Sequence, residues 1–356
     1  MCGSRPKRRD ARCRRMGVAR AVGIAVTWTF SWTVSVAIPP PEQRGEFAYV
    51  SKILNGNVAV IDTAADTVTS FLTTGAGPAE VAVVDALNRA YVADLVDGTV
   101  TVIDTSCRCV EDVIDVGHPV AAIAADPLTH TVYALDFSNG TPGTNLHVID
   151  ADTNLEIADL PVGSRLQNIA VDATGSRAYA TDFVEGVVVI DTTSNAVVAT
   201  IPVSNSPHGV AVDEAAHRLY VTQLDSGTVT VIDSSTHGVI DILTVGDAPQ
   251  WIALDPPRNK AFVTNEGDGT VSVIDLAGPT VATDAIAVGE HPLTLTVDPT
   301  VAKAYVYNIG DGTISILDTV GETVVATLND TFNDGFELGD TSAWSGSAGS
   351  DGGYDR

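Results

Sequence analysis

The chain has 356 residues, with 19 Lys or Arg against 45 Asp or Glu, and its formal net charge is −26 at pH 7. Residues 1–37 hold eight of the basic residues and one acid, so the remainder carries 11 basic and 44 acidic residues, a net charge of −33. A surface this acidic repels phosphate backbones, which excludes nucleic acid as a partner. Thirteen of these carboxylates recur in turns, where Asp accepts a hydrogen bond from the backbone two residues on. Much of the acidity is therefore expected to be structural.

Residues 1–37 have the pattern of a secretory signal peptide. A basic stretch precedes an apolar run from Ala21 to Ala37, which ends in Ser35-Val36-Ala37 with small residues where a signal peptidase reads. A membrane anchor is the alternative, because the run approaches the length needed to cross a bilayer. The proline triplet at residues 39–41 favours cleavage. We expect a protein exported to the periplasm, the cell surface or the medium, with no stable membrane span; Met16 is a second candidate start.

From Phe47 to residue 330 the chain repeats one unit seven times. Each unit holds an A-Y-V-like strand, a V-x-V-I-D-like strand and a V-V-A-T-I-like strand. The second of these ends at Asp62, Asp104, Asp150, Asp191, Asp233, Asp275 and Asp318, at intervals of 42, 46, 41, 42, 42 and 43 residues. A period of about 40 to 45 residues with several short strands is typical of a β-propeller blade. We predict an all-β fold, a seven-bladed β-propeller of four-stranded antiparallel blades over residues 47–330, with residues 38–46 as a short linker.

The clearest repeat, residues 249–286, predicts how a blade is built. Its strands are apolar on both faces, as expected for a sheet packed between two others. Gly267-Asp268-Gly269 forms the hairpin turn, and the equivalent glycines of other blades are turn residues and not phosphate-binding loops, since no helix follows them. The third blade has a longer hairpin over residues 136–145, which explains its 46-residue interval.

The first blade lacks a visible inner strand. Six inner strands are recognisable before Asp85, Asp126, Asp172, Asp213, Asp255 and Asp298. The seventh must come from residues 38–46 or from the segment after Leu328, since an unpaired edge would leave the ring open. The proline triplet weakens the first source, so the C-terminal segment is favoured.

A four-residue element marks the second strand of several blades. It occurs as Tyr49-Val50-Ser51-Lys52, Tyr91-Val92-Ala93-Asp94, Tyr220-Val221-Thr222-Gln223, Phe262-Val263-Thr264-Asn265 and Tyr305-Val306-Tyr307-Asn308. Together with the V-I-D segments, it resembles the Tyr-Val-Thr-Asn element of the YVTN β-propeller repeats over residues 47–328. The resemblance implies a secreted or surface propeller of bacterial or archaeal type. That family has no shared catalytic residues to carry over to this chain.

The C-terminal segment, residues 331–356, differs from the repeats. Residues 334–344 read D-G-F-E-L-G-D-T-S-A-W, which resembles the D-G-F-E-x-G-D-x-x-x-W element of secreted proteobacterial proteins. The Gly/Ser tail after Trp344 has the composition of a flexible linker. A sorting tag and a truncated module are both compatible with this element.

Two of the four cysteines, Cys107 and Cys109, lie outside the predicted signal peptide, on either side of Arg108 in a turn. Paired thiols in an exported chain are expected to oxidise. A bond between residues two apart can form at a bend. We therefore expect a local disulfide here and not metal or redox chemistry.

Candidate binding residues lie where the inner strands meet the channel mouth. These positions vary between blades, while turns and strand cores stay nearly constant; they are Glu80, His118, Gln167, His208, Gln250, Trp251 and His291. Trp251 lies four residues before the turn Asp of its inner strand. At the same count other blades have small or aliphatic residues, namely Val81, Ala122, Gly209 and Thr294. The Trp251 ring offers a stacking face to a sugar ring or a partner side chain; filling the channel is the alternative.

The sequence contains no complete catalytic set. Three histidines on non-adjacent blades raise the question of a metal site, but no spaced ligand motif accompanies them, so we expect neither metal nor cofactor. G-x-S-x-G, H-E-x-x-H and C-x-x-C-H are absent. The leading hypothesis is a non-enzymatic binding or scaffold module for a protein or glycan partner at the propeller rim. The alternative is a channel-mouth enzyme, either a lactonase-like hydrolase that holds a cation or a metal-linked oxidoreductase.

Overall fold

The structure is a computed structural model that describes residues 36–37, 47–52, 56–136, 145–282 and 284–329. The rest of the predicted signal peptide, the linker, the tip of the long hairpin and the C-terminal element lie outside the described residues. Among the described residues, no helix has the length and apolar character needed to cross a membrane.

The described residues form seven consecutive groups of strands. The first four blades comprise β1 (Val36–Ala37), β2 (Phe47–Lys52), β3 (Asn57–Asp62) and β4 (Thr67–Thr73); β5 (Pro78–Val84), β6 (Arg89–Asp94), β7 (Thr99–Asp104) and β8 (Cys109–Asp115); β9 (Val120–Asp126), β10 (Thr131–Asp136), β11 (Asn145–Asp150) and β12 (Leu155–Pro161); β13 (Leu166–Asp172), β14 (Arg177–Asp182), β15 (Gly186–Asp191) and β16 (Ala196–Ile201). The last three comprise β17 (Pro207–Asp213), β18 (Arg218–Gln223), β19 (Thr228–Asp233) and β20 (Val239–Thr244); β21 (Pro249–Asp255), β22 (Lys260–Asn265), β23 (Thr270–Asp275), β24 (Thr280–Val281) and β25 (Ile286–Ala287); β26 (Pro292–Asp298), β27 (Lys303–Asn308), β28 (Thr313–Asp318) and β29 (Thr323–Asn329). Single 3-10 turns follow β5 (Asp85–Leu87) and β21 (Pro256–Arg258).

Each blade is an antiparallel sheet whose strands follow one another in chain order from the channel outward. In blade six the outer strand is split into β24 and β25, which pair with opposite ends of β23. Inner strands of successive blades contact each other around the ring, and β1 touches both β26 and β5. The predicted all-β, seven-bladed propeller is therefore confirmed.

The apolar core lies in the wedges between blades. One large aromatic per blade, at the centre of the second strand, is almost completely buried: Tyr49, Tyr91, Tyr133, Tyr179, Tyr220, Phe262 and Tyr305. Clusters of aliphatic residues from adjacent blades surround these rings. This packing on both faces explains why the second and third strands of each repeat contain so few polar residues.

The acid that ends each V-I-D segment closes a turn, as expected. The Asp62 carboxylate accepts hydrogen bonds from the N–H groups of Ala64 and Ala65 at 2.9 and 3.0 Å. The other six aspartates likewise accept from the N–H two residues on. Most of the repeated carboxylates are thus part of the scaffold.

The Y-V-T-N element has a physical explanation in hydrogen bonds between blades. The Thr264 hydroxyl accepts from the N–H of Trp251 (3.0 Å) and donates to the carbonyl of Leu293 in the next blade (2.9 Å). Ser51, Thr181 and Thr222 also donate to a carbonyl of the following blade. The fourth residue of the element stabilises the hairpin between the second and third strands, because the Asn265 amide donates hydrogen bonds to the hydroxyls of Thr270 and Ser272.

A basic side chain at the start of the second strand links several blades to the next, including the last to the first. The Lys303 ammonium lies 2.8 Å from both Asp66 carboxylate oxygens and 3.1 Å from the Thr63 carbonyl oxygen. Lys260 makes the corresponding contacts between blades six and seven, with Thr319 and Glu322. Since residues 63 and 303 are distant in the chain, this contact helps to close the ring.

The inner position of blade one is occupied on the N-terminal side. Val36 and Ala37, which the sequence assigns to the end of the signal peptide, pair with Val50 and Tyr49 of β2. The C-terminal source favoured from the sequence lies outside the described residues.

Candidate functional site in the central channel

Six inner strands carry a β-bulge at their channel-side start. In each, two successive residues oppose one residue of the second strand; the pairs are Ala79–Glu80, Ala121–Ala122, Gln167–Asn168, His208–Gly209, Gln250–Trp251 and Leu293–Thr294. Bulges bend a strand and re-aim its side chains. Five of the seven candidate residues lie in these bulges, while His118 and His291 precede inner strands.

Three of the bulges border a central cavity of about 390 Å³, which lies among the inner strands of blades two to six. Its wall is mainly Ala, Val, Ile and Leu, together with Pro256 and Pro299. Of the candidate residues, only Glu80 and Trp251 line it; Asn168 is the other polar side chain in the wall. We refer to this space as the central cavity.

The strand pairing corrects the alignment of the blades at this level. Val81, Ile169 and Ile252 pair with equivalent second-strand residues, so Glu80, Asn168 and Trp251 occupy one level of the channel. Counting back from the turn Asp placed Val81 at that level. The count is wrong in blade two because Asp85 belongs to the 3-10 turn and not to the strand.

Glu80 is a buried acid that joins two blades. Its Oε2 accepts a hydrogen bond from the N–H of Ile123 at 2.8 Å. Burial raises the pKa of Glu80 well above its ordinary value, and the hydrogen bond from Ile123 opposes this only in part. Burial thus shifts Glu80 toward its neutral form, which can donate a hydrogen bond.

Asn168 of blade four occupies the position that Glu80 has in blade two, but one of its hydrogen-bond donors has no partner among the described residues. Its Oδ1 accepts a long hydrogen bond from the N–H of Val210 (3.4 Å). Its Nδ2 is buried and has no acceptor among the described residues. A buried amide without a partner is costly, so a ligand or water that supplies an acceptor oxygen would be held there.

Trp251 provides the aromatic part of the cavity wall. Its side chain is 5 % exposed and packs with the apolar cluster that includes Ala253, Phe262 and Leu293. The two interpretations from the sequence, a stacking face and a filler of the channel, are both compatible with this position. Sequence position alone does not separate them.

His208, Gln250 and His291 belong to one network around Glu266. The Glu266 carboxylate accepts from Gln250 Nε2 at 3.0 Å and from His291 Nδ1 at 2.8 Å. His208 Nδ1 donates to the backbone carbonyl of Gln250 at 3.1 Å. Glu266 and the exposed His291 line a second depression of about 380 Å³ with Asp268, Glu290 and Asp311. Glu266 was not recognised from the sequence, where it reads as a hairpin residue.

His118 and Gln167 lie apart from this network. The exposed His118 ring stacks on His147 of blade three, with ring centroids 6.1 Å apart. Gln167 Nε2 donates to the carbonyl of Arg165 at 3.1 Å. The three histidines that raised the question of a metal site therefore have three different partners. Within the described residues, no group of three or more His, Cys, Asp or Glu side chains could hold a metal ion.

Cys107 and Cys109 are joined by a disulfide, with Cα atoms 5.4 Å apart. The bridge lies in the turn between β7 and β8, on the outer side of blade two and away from the cavity wall.

Comparisons with known proteins inform the fold only. No family model matches the chain, and no curated protein is significantly similar in sequence. Among solved structures, hydrazine synthase of Kuenenia stuttgartiensis has a similar fold, with a TM-score of 0.69, 17 % identity, and coverage of 77 % of this chain and 92 % of that chain. At this identity the likeness shows a shared propeller and carries no site or activity.

Proposed function

We propose that the protein is an exported, non-catalytic binding module that holds an uncharged, hydroxylated ligand, such as a sugar ring of a glycan, in the central cavity. The observation that carries this proposal is the buried Asn168 amide, whose Nδ2 donor has no acceptor among the described residues. Protein partners at the rim remain compatible with the same scaffold.

The cavity wall determines the class of ligand. Asn168 offers a donor, and the neutral form of Glu80 offers a second. Trp251 offers an apolar ring face, against which the C–H groups of a sugar pack. Because the other wall residues are apolar, an ionised ligand would lose its hydration without gaining a charged partner.

The rival hypothesis, an enzyme in the channel, has less support in the cavity. Hydrolysis that depends on a cation requires several oxygen ligands. Glu80 uses one oxygen and Asn168 its amide oxygen to bind the next blade. The two polar side chains of the described wall are thus engaged in linking blades, and neither has a neighbouring nucleophile.

A binding experiment with matched variants tests the proposal. The secreted protein is screened against neutral and acidic glycans, and hits are measured by titration calorimetry. Asn168→Ala, which copies Ala122 at the same level of blade three, is expected to weaken binding about 10-fold or more with little change in melting, since a hydrogen bond to a buried donor is lost. Gln167→Ala, next to it but outside the cavity wall, is the control and should leave affinity unchanged.

Two variants of Trp251 test its part in binding and in packing. Trp251→Phe keeps an aromatic face and is expected to retain binding, whereas Trp251→Ala should lose binding and also lower the melting temperature because it empties part of the core. Equal affinity of Asn168→Ala and the unmodified protein would contradict the proposed site. A stoichiometric transition metal, or calcium required for hydrolysis of a lactone panel, would favour the enzyme instead.

A further inference from the structure

The second depression, of about 380 Å³, lies on the rim of the propeller and outside the central cavity. It is bordered by the hairpin of blade six (residues 266–269), by the connection into the inner strand of blade seven (residues 288–291) and by the hairpin of blade seven. Among the described residues, no Lys or Arg side chain lines it. Its acidic side chains are Glu266, Asp268, Glu290 and Asp311. We call this space the rim depression.

Glu266 distinguishes the rim depression from the equivalent places in other blades. Its N–H donates to the carbonyl of Ala248, the residue before the inner strand of its blade. The same backbone hydrogen bond occurs in four other blades, where the donor residues are Leu95, Phe183, Leu224 and Ile309. These four residues are apolar, so packing at this position does not require a carboxylate. Glu266 is nevertheless only 8 % exposed.

A buried acceptor without a donor lies beside the Glu266 carboxylate. The carboxylate accepts a hydrogen bond from Gln250 Nε2 at 3.0 Å and lies 2.8 Å from His291 Nδ1. Gln250 is 3 % exposed, and its amide is directed at Glu266, which lines the rim depression. The Oε1 of this amide is buried and has no donor in the described part of the chain. An unpaired buried acceptor is costly, so a donor brought by a ligand would be stabilised there.

The backbone around the rim depression leaves acceptors rather than donors for a ligand. The N–H of Glu290 donates to the Asp311 carboxylate, and the N–H of Gly310 donates to the Glu290 carbonyl. The N–H of Gly267 is likewise used, by the carbonyl of Asp247. The groups that face a ligand are therefore mainly carboxylates, with the Gln250 amide oxygen behind them. Such a site fits a positively charged group that donates several hydrogen bonds.

The protein's own cations bind at the other end of the blades. The hairpin of blade six precedes the third strand, whereas the V-I-D segment ends that strand, so the two lie at opposite ends of the blade. Six of the described Lys and Arg side chains bond groups at the V-I-D end, namely Arg89, Arg177, Arg218, Arg258, Lys260 and Lys303. None of these six can neutralise the rim depression.

We propose that the rim depression binds a Lys or Arg side chain of a protein partner. The cationic head lies against the carboxylates of Glu266 and Glu290 and donates to Gln250 Oε1. The alkyl stem packs on Val288 and on the glycines of the wall. A space of about 380 Å³ holds a whole side chain and not only an ammonium group. This site is independent of the ligand proposed for the central cavity.

Peptide titration tests the proposal. The probes are acetylated, amidated peptides that carry one Lys, one Arg or one norleucine in a Gly/Ser background, added at millimolar concentration to the isotope-labelled secreted protein. We expect the Lys and Arg peptides, but not the norleucine peptide, to shift the NMR signals of the Gly267, Gly269 and Gly289 amides. Glu266→Gln, which removes the charge and keeps the size of the side chain, should weaken binding about 10-fold or more.

Glu185→Gln is the matched control. It removes one acid from the hairpin of blade four, on the same rim but outside the rim depression, and should leave the affinity unchanged. Equal weakening by the two variants would show diffuse attraction to an acidic surface and would overturn the proposal. Equal binding of the norleucine and Lys peptides, or no shift with either cationic peptide, would also overturn it. Spermidine is titrated in parallel, and binding of spermidine without binding of the peptides would assign the site to a free polyamine instead.

Discussion

The buried histidine of blade three makes the stability of this propeller depend on pH. His147 Nε2 lies 2.6 Å from Asp136 Oδ1, and its Nδ1 lies 2.7 Å from Glu156 Oε1. Asp159 is 3.9 Å from Nδ1, and the His118 ring stacks beside it. Burial by itself lowers the pKa of His147, but the hydrogen bonds and charges of Asp136 and Glu156 outweigh it and raise the pKa to about 9. Both ring nitrogens thus act as donors of an imidazolium.

The size of the effect follows from the difference between folded and unfolded pKa values. An unfolded histidine titrates near 6.5, so protonation stabilises the folded state by about 3 kcal/mol at pH 6 and by less than about 1 kcal/mol at pH 9. Because the folded pKa is the higher one, this contribution is complete below the unfolded pKa and is lost as the pH rises through about 9. The direction is the reverse of that for a salt-bridged carboxylate.

Urea unfolding between pH 6 and pH 9.5 measures this contribution. His147→Thr is the matched variant, because Thr101 holds the same position against Asp94 in blade two. The variant should be less stable than the unmodified protein by a constant packing loss plus about 3 kcal/mol at pH 6, with the second part vanishing by pH 9.5. A difference in unfolding free energy that is independent of pH would refute the assignment of a charged His147.

Two other substitutions probe the scaffold. Burial raises the pKa of Asp94 to about 6, so the ionised carboxylate destabilises the folded state. Asp94→Asn, which copies Asn265 of blade six, is therefore expected to raise the free energy of unfolding by up to about 3 kcal/mol at pH 8 and to have little effect near pH 4. Urea unfolding at the two pH values measures this difference. Lys303→Ala should cost about 1–2 kcal/mol and increase amide hydrogen exchange in β2 and β3, since the contact with Asp66 joins the first and last blades. Lys260→Ala is its control and should leave exchange in blade one unchanged; equal exchange in both variants would contradict a role in ring closure.

The repeats made the fold predictable because each repeat specifies its own blade. The V-I-D aspartates bond their own turns, and the hydroxyl of the Y-V-T-N element bonds the next blade, so local sequence already contains the contacts that build the ring. The interval between repeats is typical of a blade, and the number of repeats then gives the number of blades. The disulfide between Cys107 and Cys109 needed only their proximity in the chain.

The candidate site was harder to predict because it depends on register. A bulge places two successive residues opposite one, so the sequence does not show which of Gln167 and Asn168 reaches the cavity. The sequence identified Glu80 as a candidate but placed Val81 at the level of Trp251. The error arose because Asp85, from which the residues were counted, lies in the 3-10 turn after β5 and not at the end of the strand. Counting from the tyrosine of the second strand, whose position is constant, would have given the correct level.

Long-range partners explain why other candidates did not converge. His118 and His291 have similar positions before inner strands, but their partners differ: His118 stacks on His147 of its own blade, and His291 contacts Glu266 of the preceding blade. Neither partner is near in sequence, so no spacing rule reveals it. A polar residue beside a propeller channel is therefore informative only once the residue that it contacts is known.

The proposed site lies at a level of the channel where the side chain differs from blade to blade. Turn aspartates and inter-blade hydroxyls recur because each blade needs them, whereas the bulge level carries Glu80, Ala122, Asn168, Gly209, Trp251 and Thr294, six different side chains on equivalent backbone. Packing accepts a small residue at two of these positions, as Ala122 and Gly209 show. Asn168 goes beyond that requirement, because its buried donor costs stability that no described contact offsets. The ligand proposed above would complete the hydrogen bonding of this amide.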